Sequence, residues 1–464
     1  MGMENPELKR YAVQFHPETD LTIKGRDIFS NFLFQISGLT QDYTMENRKE
    51  KAIAYIKEKV GNKKVLALVS GGVDSTVCAS LLGEAVGSEN VIALHVDTGF
   101  MRKDESEMVK VALESVGINL NVIDASEEFF TNLQGVAEPE KKRVIIGDTF
   151  IKVAKQFLSE QGINLDDIFL AQGTLRPDLI ESASIIANSS GSADKIKTHH
   201  NDSPLVREMR EKGLVVEPLT DYHKDEVREL GESLGLPENI VWRQPFPGPG
   251  LAIRMLCADE PFLGEDFDDV QQQLRQFETE NIHLHLLPVA TVGVQGDGRS
   301  YKYLVGLSTI ENPNWEEIIE LTKKIPQTVK SINRVAYIFG DPIPKSKMLK
   351  EITQTALNRQ NIEQLRQSDA IVNEILLKYN LIRKLSQVPV ISFPVSFDEP
   401  GKRSIAIRTI ITRDFMTGLP AIPGKDIPEE AVNEIVQRIL SEVAGISRVV
   451  YDLTSKPPGT IEWE

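Results

Sequence analysis

Cysteine, basic residues and long apolar runs are all scarce in this chain. Its 464 residues include only two cysteines, Cys78 and Cys257, whose positions suit neither a disulfide framework nor a zinc site. The 52 basic residues are outnumbered by 68 acidic ones, and the net charge of −16 argues against a nucleic-acid or anionic membrane partner. No apolar run approaches the roughly 18 residues that a membrane span needs, and no signal-peptide profile opens the sequence. We therefore expect a soluble protein of the reducing cytosol.

A phosphate loop of the Gly-x-x-x-x-Gly-Lys-Ser/Thr type is also missing. A different turn follows the apolar run 65–69 and leads into an apolar helical segment. This glycine turn consists of Ser70, Gly71, Gly72, Val73, Asp74, Ser75 and Thr76. Glycines let the backbone approach a ligand closely, and a helix start offers unpaired N–H groups to an anion. The turn resembles the pyrophosphate loop of ATP pyrophosphatases, which split ATP into AMP and pyrophosphate; an ordinary Gly-Gly turn is the alternative.

From residue 64 onwards, short apolar strands alternate with helical segments. This alternation predicts an α/β fold, a doubly wound and mostly parallel sheet of the ATP pyrophosphatase (adenine-nucleotide alpha-hydrolase-like) kind. Ligands of such sheets bind at the carboxyl ends of the strands. The segment 244–250 is too rich in proline and glycine for regular structure and marks a boundary. We predict domains at 1–41, 42–244 and 245–464.

The last of these domains contains an internal repeat. The strand-like strings 332–337 and 446–451 match, and each follows a helical segment and a shorter apolar strand. We predict two α+β units, at about 245–345 and 346–464, which together form a duplicated, dimerisation-type domain. Two such units can pair within one chain or between chains, so the sequence is compatible with a monomer or a homodimer.

Several longer strings resemble glutamine-dependent GMP synthetases, over essentially the whole chain. They are residues 172–182, 197–201, 245–254 and 456–464. The last two strings are specific to that family, and the duplicated unit is similar to its longer, animal-type form. The resemblance implies a ligase of purine biosynthesis. In that reaction, ATP with magnesium adenylates xanthosine monophosphate (XMP), and ammonia then displaces AMP to give GMP.

The resemblance also implies roles for individual residues. The glycine turn would bind the pyrophosphate of ATP, and Asp74 would help to hold magnesium, although an acid in the first turn of a helix is otherwise common. Lys197 would supply positive charge from a lid-like segment, unless it belongs to a solvated loop. Asp97 follows a strand and could meet the ATP ribose or simply form a turn. For XMP, the resemblance points to Arg143, Asp297, Gln367, Lys456 and Glu462.

Residues 14–18 resemble the end of a class I glutamine amidotransferase, in which a cysteine, a histidine and a glutamate release ammonia from glutamine. His16 and Glu18 would be the histidine and the glutamate of that triad. Neither Cys78 nor Cys257 lies in a Gly-x-Cys-x-Gly turn. We therefore expect a truncated amidotransferase domain and an ammonia-dependent synthetase, which would use glutamine only through a missing or separate domain.

Two other functions are compatible with the glycine turn. Another ATP pyrophosphatase, such as NAD synthetase, would share the turn but would not explain the string 456–464. A non-catalytic nucleotide-binding protein would not need the turn, the lysine segment and the carboxyl-terminal string all to be present.

Overall fold

The structure is a computed structural model that describes residues 2–18, 22–41, 44–176, 204–295, 298–412 and 417–464. The first elements are the hairpin of β1 (Gly2–Asn5) and β2 (Arg10–Val13) and the helices α1 (Gly25–Ser30) and α2 (Met45–Val60). The Thr44 side chain accepts a hydrogen bond from Asn47 N at 3.3 Å and thereby caps α2. Within these described ranges, no helix is long and apolar enough to cross a membrane.

A five-stranded sheet follows, in which every pairing is parallel and the strand order is β5-β4-β3-β6-β7. Its strands are β3 (Lys64–Leu68), β4 (Val91–Asp97), β5 (Leu120–Asp124), β6 (Ile168–Ala171) and β7 (Val215–Val216). Its helices are α3 (Val73–Val86), α4 (Glu105–Ser115), α5 (Ser126–Asn132), α6 (Pro139–Glu160), α7 (Pro204–Glu211), α8 (Lys224–Ser233) and α9 (Glu238–Val241).

The strand order reverses at β3, because the chain first extends the sheet through β4 and β5 and then returns to add β6 on the other side. The crevice above such a reversal is the usual ligand site of open parallel sheets. Both faces of β3 are covered: Leu66 packs into the core shared with the carboxyl-terminal half, and Val65 and Ala67 pack into a second core. The predicted doubly wound α/β fold is confirmed.

The carboxyl-terminal half is built around a six-stranded mixed sheet of order β11-β12-β15-β10-β9-β8. Its strands are β8 (Ile282–Gln295), β9 (Gly298–Thr309), β10 (Ile332–Ile338), β11 (Val390–Phe393), β12 (Arg403–Ile407) and β15 (Ile446–Asp452), with β13 (Ile410–Ile411) and β14 (Leu419–Pro420) in a separate ribbon. Its helices are α10 (Phe267–Leu274), α11 (Trp315–Thr328), α12 (Arg359–Lys378) and α13 (Glu429–Glu442).

The two halves of this sheet have the same plan. In one half β9 and β10 are parallel and joined through α11, and in the other β12 and β15 are parallel and joined through α13. The two plans meet where β10 pairs with β15 in antiparallel register, as two subunits would across a twofold axis. Helix α12 lies between the two copies. The domain limits given above stay predictions.

Candidate active site

The glycine turn lies at the carboxyl end of β3, where the strand order of the parallel sheet reverses. Gly71 has a φ of 85°, a conformation that glycine adopts without a steric penalty. Ser75 Oγ accepts from Ser70 N at 3.2 Å and donates to Gly72 O at 3.0 Å, and Thr76 Oγ1 donates to the same carbonyl at 2.9 Å. Since Gly72 has no side chain to cap α3, the first N–H groups of that helix remain available to an anion.

Asp74 stands in the first turn of α3 and is paired on one side only. Its Oδ2 accepts from Lys224 Nζ at 2.5 Å, whereas its Oδ1 is buried and has no hydrogen-bond partner among the described residues. The backbone at Gly173, just after β6, passes close to Asp74. A Cβ at this position would lie only 3.2 Å from the Asp74 carbonyl group. The free oxygen makes Asp74 a candidate ligand for a cation, because an unpaired buried carboxylate oxygen is costly.

Arg243 brings a second positive charge to the glycine turn. Its guanidinium group donates both to Gly71 O and to Glu105 Oε1, the first carboxylate of α4. Glu105 is fully buried and also accepts from Arg102 N at 2.9 Å. Neither Lys224 nor Arg243 is among the residues that the sequence analysis identifies. They lie 150 and 172 positions from their partners in the turn, and no local pattern marks them.

Asp97 ends β4 beside the glycine turn. Its carboxylate accepts from Gly99 N at 2.9 Å and from Ser106 Oγ at 2.7 Å, and Ser106 is in turn 3.0 Å from His95 Nε2. It also lines an open cleft of about 760 Å³ between the start of α4 and the start of α12. Asp97 therefore forms a turn and borders a cavity at once, so both of its predicted roles remain possible.

Arg143 lies on α6 and contacts the last residue of the chain. It donates to Glu464 O at 2.8 Å and to Glu140 Oε1 at 3.0 Å, and Arg299 reaches the same Glu140 oxygen at 2.6 Å. The neighbouring Lys142 is fully buried and donates to both Glu464 side-chain oxygens, at 2.6 and 2.9 Å. Burial raises the pKa of the Glu464 side chain to about 7, although Lys142 opposes the shift. Three basic side chains, Lys142, Arg143 and Arg299, are thus gathered around Glu464 and Glu140.

Residues 456–464, here called the tail, carry the other predicted XMP ligands. Glu462 forms a two-pronged pair with Arg254, with an NH2–Oε1 distance of 3.0 Å and an Nε–Oε2 distance of 3.2 Å. Trp463 is buried, and its indole donates to Asp452 Oδ2 at 2.9 Å. Lys456 exchanges backbone hydrogen bonds with Gly418, 2.8 and 2.9 Å long. Charged and aromatic side chains thus fix the tail in place, as its composition suggests.

The structure does not bring all predicted XMP residues together. Gln367 is exposed on α12, and its amide donates to Glu363 one turn earlier at 3.1 Å. Lys197 and Asp297 lie outside the described residues, so their roles stay predictions. Arg254 is the residue of this region that the sequence analysis misses; it is part of the string 245–254, but only the fold shows that it faces the tail.

The predicted amidotransferase residues lie together at the surface. His16 Nδ1 is 2.7 Å from Glu18 Oε1, with exposed side-chain fractions of 79% and 58%, and hydrogen bonds from the Glu18 backbone and from His16 lower the pKa of Glu18. Burial raises the pKa of Cys78 to about 12 and that of Cys257 to about 11. Neither thiol is therefore disposed to ionise, as a nucleophile must.

A parallel α/β sheet with a Ser-Gly-Gly turn at its reversal point is typical of the ATP pyrophosphatase class of nucleotide-binding enzymes. Comparison with family models agrees with this assignment. Residues 45–150 match the model described as NAD synthase, residues 367–463 match the GMP synthase C-terminal domain, and residues 1–36 match glutamine amidotransferase class-I.

Relatives that align with the whole of this chain identify the family more specifically than the family models do. The glutamine-hydrolysing GMP synthase of Dictyostelium discoideum is 52% identical, with 100% of this chain and 71% of the relative aligned. The probable GMP synthase of Caenorhabditis elegans is 43% identical over 100% and 72%, and the enzyme of Carboxydothermus hydrogenoformans is 37% identical over 100% and 70%. The chain belongs to the GMP synthase family, and the predicted resemblance is confirmed.

Proposed function

We propose that this protein is a C–N bond-forming ligase that converts XMP to GMP with ATP and ammonia. In the first step, the C2 oxygen of XMP attacks the α-phosphorus of ATP, and the bond to the bridging oxygen breaks to release pyrophosphate. Ammonia then attacks C2, the C2–O bond breaks, AMP leaves with the oxygen, and the nitrogen loses a proton. Similarity to GMP synthases over the whole of this chain, and over 71% and 72% of two relatives, supports this reaction.

The observation that carries the proposal is the composition of the glycine turn. It places uncapped helix N–H groups, three hydroxyl side chains and a left-handed glycine at the reversal point of a parallel sheet. Lys224 and Arg243 add positive charge next to it in a chain of net charge −16. A departing pyrophosphate needs such preorganised donors, because its charge develops as the bond to the α-phosphorus breaks.

Asp74 is the residue that would hold magnesium. The described part of the chain has no cluster of three side chains able to bind a metal by themselves. Magnesium rarely needs one, because it is usually held by one or two carboxylates together with substrate phosphates and water. The buried, unpaired Oδ1 of Asp74 fits that pattern. The ion would neutralise phosphate charge, while Lys224 keeps the carboxylate in place through Oδ2.

For XMP, we propose binding through Arg143, Lys456 and Glu462, with Asp297 and Gln367 as further predicted ligands. A guanidinium fork matches a phosphate, and Arg143 is only partly buried, at 18% exposure of its side chain. Glu462 is 19% exposed and is the only tail carboxylate held by Arg254. In the structure, Arg143 donates to Glu140 and to the Glu464 carbonyl, and Glu462 pairs with Arg254.

Ammonia is the nitrogen donor that we propose for this chain. Cys78 is buried and Cys257 partly buried, burial raises the pKa of both thiols, and neither lies near the exposed His16–Glu18 pair in sequence. A glutaminase of this class needs a thiolate beside that pair. Glutamine would serve only when an amidotransferase active site supplies ammonia.

The test is an assay with XMP, ATP, magnesium and either ammonium or glutamine, in which AMP and GMP are quantified. We expect equal amounts of AMP and GMP with ammonium, and almost none of either with glutamine. Efficient use of glutamine would refute the proposed nitrogen source. Release of AMP without any need for XMP would instead favour a different ATP pyrophosphatase.

A further inference from the structure

Charged side chains of alternating sign run from the glycine turn to the tail. They belong to the parallel-sheet half, to the connector before the second half, to α12 and to the tail itself. We call them the ion-pair chain, which consists of Arg243, Glu105, Arg102, Asp369, Arg254 and Glu462. Neighbours form ion pairs, except that Glu105 is joined to the backbone N–H of Arg102. With three cations and three anions, the ion-pair chain is neutral as a whole.

The first part of the ion-pair chain holds the glycine turn. Arg243 donates to Gly71 O and to Glu105 Oε1, and the other oxygen of Glu105 accepts from Arg102 N at 2.9 Å. The Arg102 side chain points away from Glu105, and one of its guanidinium nitrogens donates to Gln244 O at 2.9 Å. The position of Gly71 is therefore linked to that of Arg102 through three consecutive hydrogen bonds.

The second part of the ion-pair chain reaches the tail through a single acid. Asp369 Oδ2 is 3.1 Å from Arg102 Nε, and its Oδ1 is 3.7 Å from Arg254 NH1. Arg254 then forms its two-pronged pair with Glu462. The contacts around Asp369 differ from the others, because Asp369 Oδ1 and Arg254 NH1 are buried without a hydrogen-bond partner in the described chain. Asp369 and Arg254 therefore attract each other electrostatically, without a hydrogen bond between them.

Burial makes the ion-pair chain sensitive to charge. The Asp369 and Arg254 side chains are each only 2% exposed, and Arg102 is 10% exposed. Both arginines also lie over the ring of Phe246, at 4.5 and 5.2 Å from its centre, which excludes water between them. Charges interact more strongly in such surroundings than in water. A ligand that competes for Arg254 or Glu462 changes the charge that Asp369 faces.

We propose that Asp369 is a positioning residue that couples XMP binding at the tail to ATP binding at the glycine turn. The inference rests on the function proposed above, since it assigns ATP to the turn and XMP to Glu462. Asp369 contacts neither ligand in this scheme. It acts through Arg254 on one side and through Arg102, Glu105 and Arg243 on the other. Such coupling is a free energy shared by both sites, so each ligand must strengthen the other's binding by the same factor.

The test measures that factor by titration calorimetry. The affinity for α,β-methylene ATP, which cannot be cleaved at the α–β position, is measured with and without saturating XMP, and the XMP affinity with and without the analogue. We expect roughly fivefold or greater mutual strengthening in the wild type, a typical allosteric coupling. In Asp369→Asn, the factor should fall below about twofold, while each ligand alone binds within about threefold of wild type. The control is Glu374→Gln, on the exposed side of the same helix, which should keep the wild-type factor.

Arg102→Lys provides a second test in case Asp369→Asn does not fold. It keeps the buried positive charge and loses only the planar guanidinium group. It should lower the coupling factor in the same direction, and the double variant should show no additional loss. A folded Asp369→Asn or Arg102→Lys protein with the wild-type factor would overturn the proposal, as would a wild type without any coupling. Failure of the proposed function gives a different result, the absence of GMP formation by the wild type.

Discussion

The glycine turn is held by hydroxyl groups and backbone amides, whereas the tail is held by buried charges. In the turn, every hydrogen bond except those of Lys224 and Arg243 joins residues within five positions of one another. In the tail, Trp463 shares a fully buried carboxylate, Asp452, with two arginines, Arg334 on β10 and Arg408 just after β12. Substitutions in the turn should therefore change the rate, and substitutions around the tail should change stability first.

The largest expected effect is the loss of the buried tail anchor. Asp452→Asn removes the carboxylate that forms ion pairs with both Arg334 and Arg408, at 2.9 and 2.8 Å, and leaves two buried cations without their ion-pair partner. Breaking a buried pair in this way costs about 3–5 kcal/mol. Urea unfolding should detect it. Asp398→Asn, which removes a half-exposed carboxylate, should cost less than about 1 kcal/mol. Equal losses in the two variants would refute the role of Asp452 as a buried anchor of the tail.

A smaller effect, on rate alone, is expected in the glycine turn. Asp74→Asn keeps the shape of the side chain but weakens its hold on magnesium and on Lys224. AMP formation with XMP, ATP and ammonium should slow about 100-fold, or about 2.7 kcal/mol, while the urea midpoint stays close to wild type. Glu229→Gln, an exposed change on the same helix as Lys224, is the matched control. A rate within a factor of about 3, under ~1 kcal/mol, would mean that Asp74 does not hold the metal.

Glu462 combines features of both regions, because it belongs to the tail but is proposed to bind substrate. It therefore sharpens the comparison of the turn with the tail. Glu462→Gln removes the charge that faces Arg254. We expect the KM for XMP, measured from initial rates at saturating ATP, to rise about tenfold, equivalent to about 1.4 kcal/mol. An unchanged KM for XMP, with a lowered urea midpoint, would make Glu462 a structural residue like Asp452.

A separate effect concerns the pH dependence of stability. Since burial raises the pKa of Glu464 from 4.5 to about 7, the folded protein binds more protons than the unfolded chain within this range. Its contribution to stability is present below pH 4.5 and is lost as pH rises through about 7. Glu464→Gln cannot titrate, so the free energy of unfolding should decline less between those pH values than in the wild type. A steeper decline in the variant would contradict the shift.

The same contrast explains which parts of the molecule could be predicted from its sequence. The strand, turn and helix around residues 65–86 could be predicted because strand and helix patterning, glycine conformation and helix-start chemistry are all local. Lys224 and Arg243 could not, because their roles depend on contacts across 150 or more positions. The fold class followed from the alternation of strands and helices. Asp369 on α12 could not be predicted either, because its role depends on Arg102 and Arg254, which are distant in sequence.

The central claim is that ATP bound at the glycine turn adenylates XMP before ammonia arrives. It is tested most directly with XMP that carries ¹⁸O on C2, turned over with ATP and ammonium, followed by mass spectrometry of the products. The account predicts one labelled oxygen in each AMP and none in pyrophosphate, since the C2 oxygen leaves with the adenylyl phosphorus. Unlabelled AMP, or label in pyrophosphate, would contradict it.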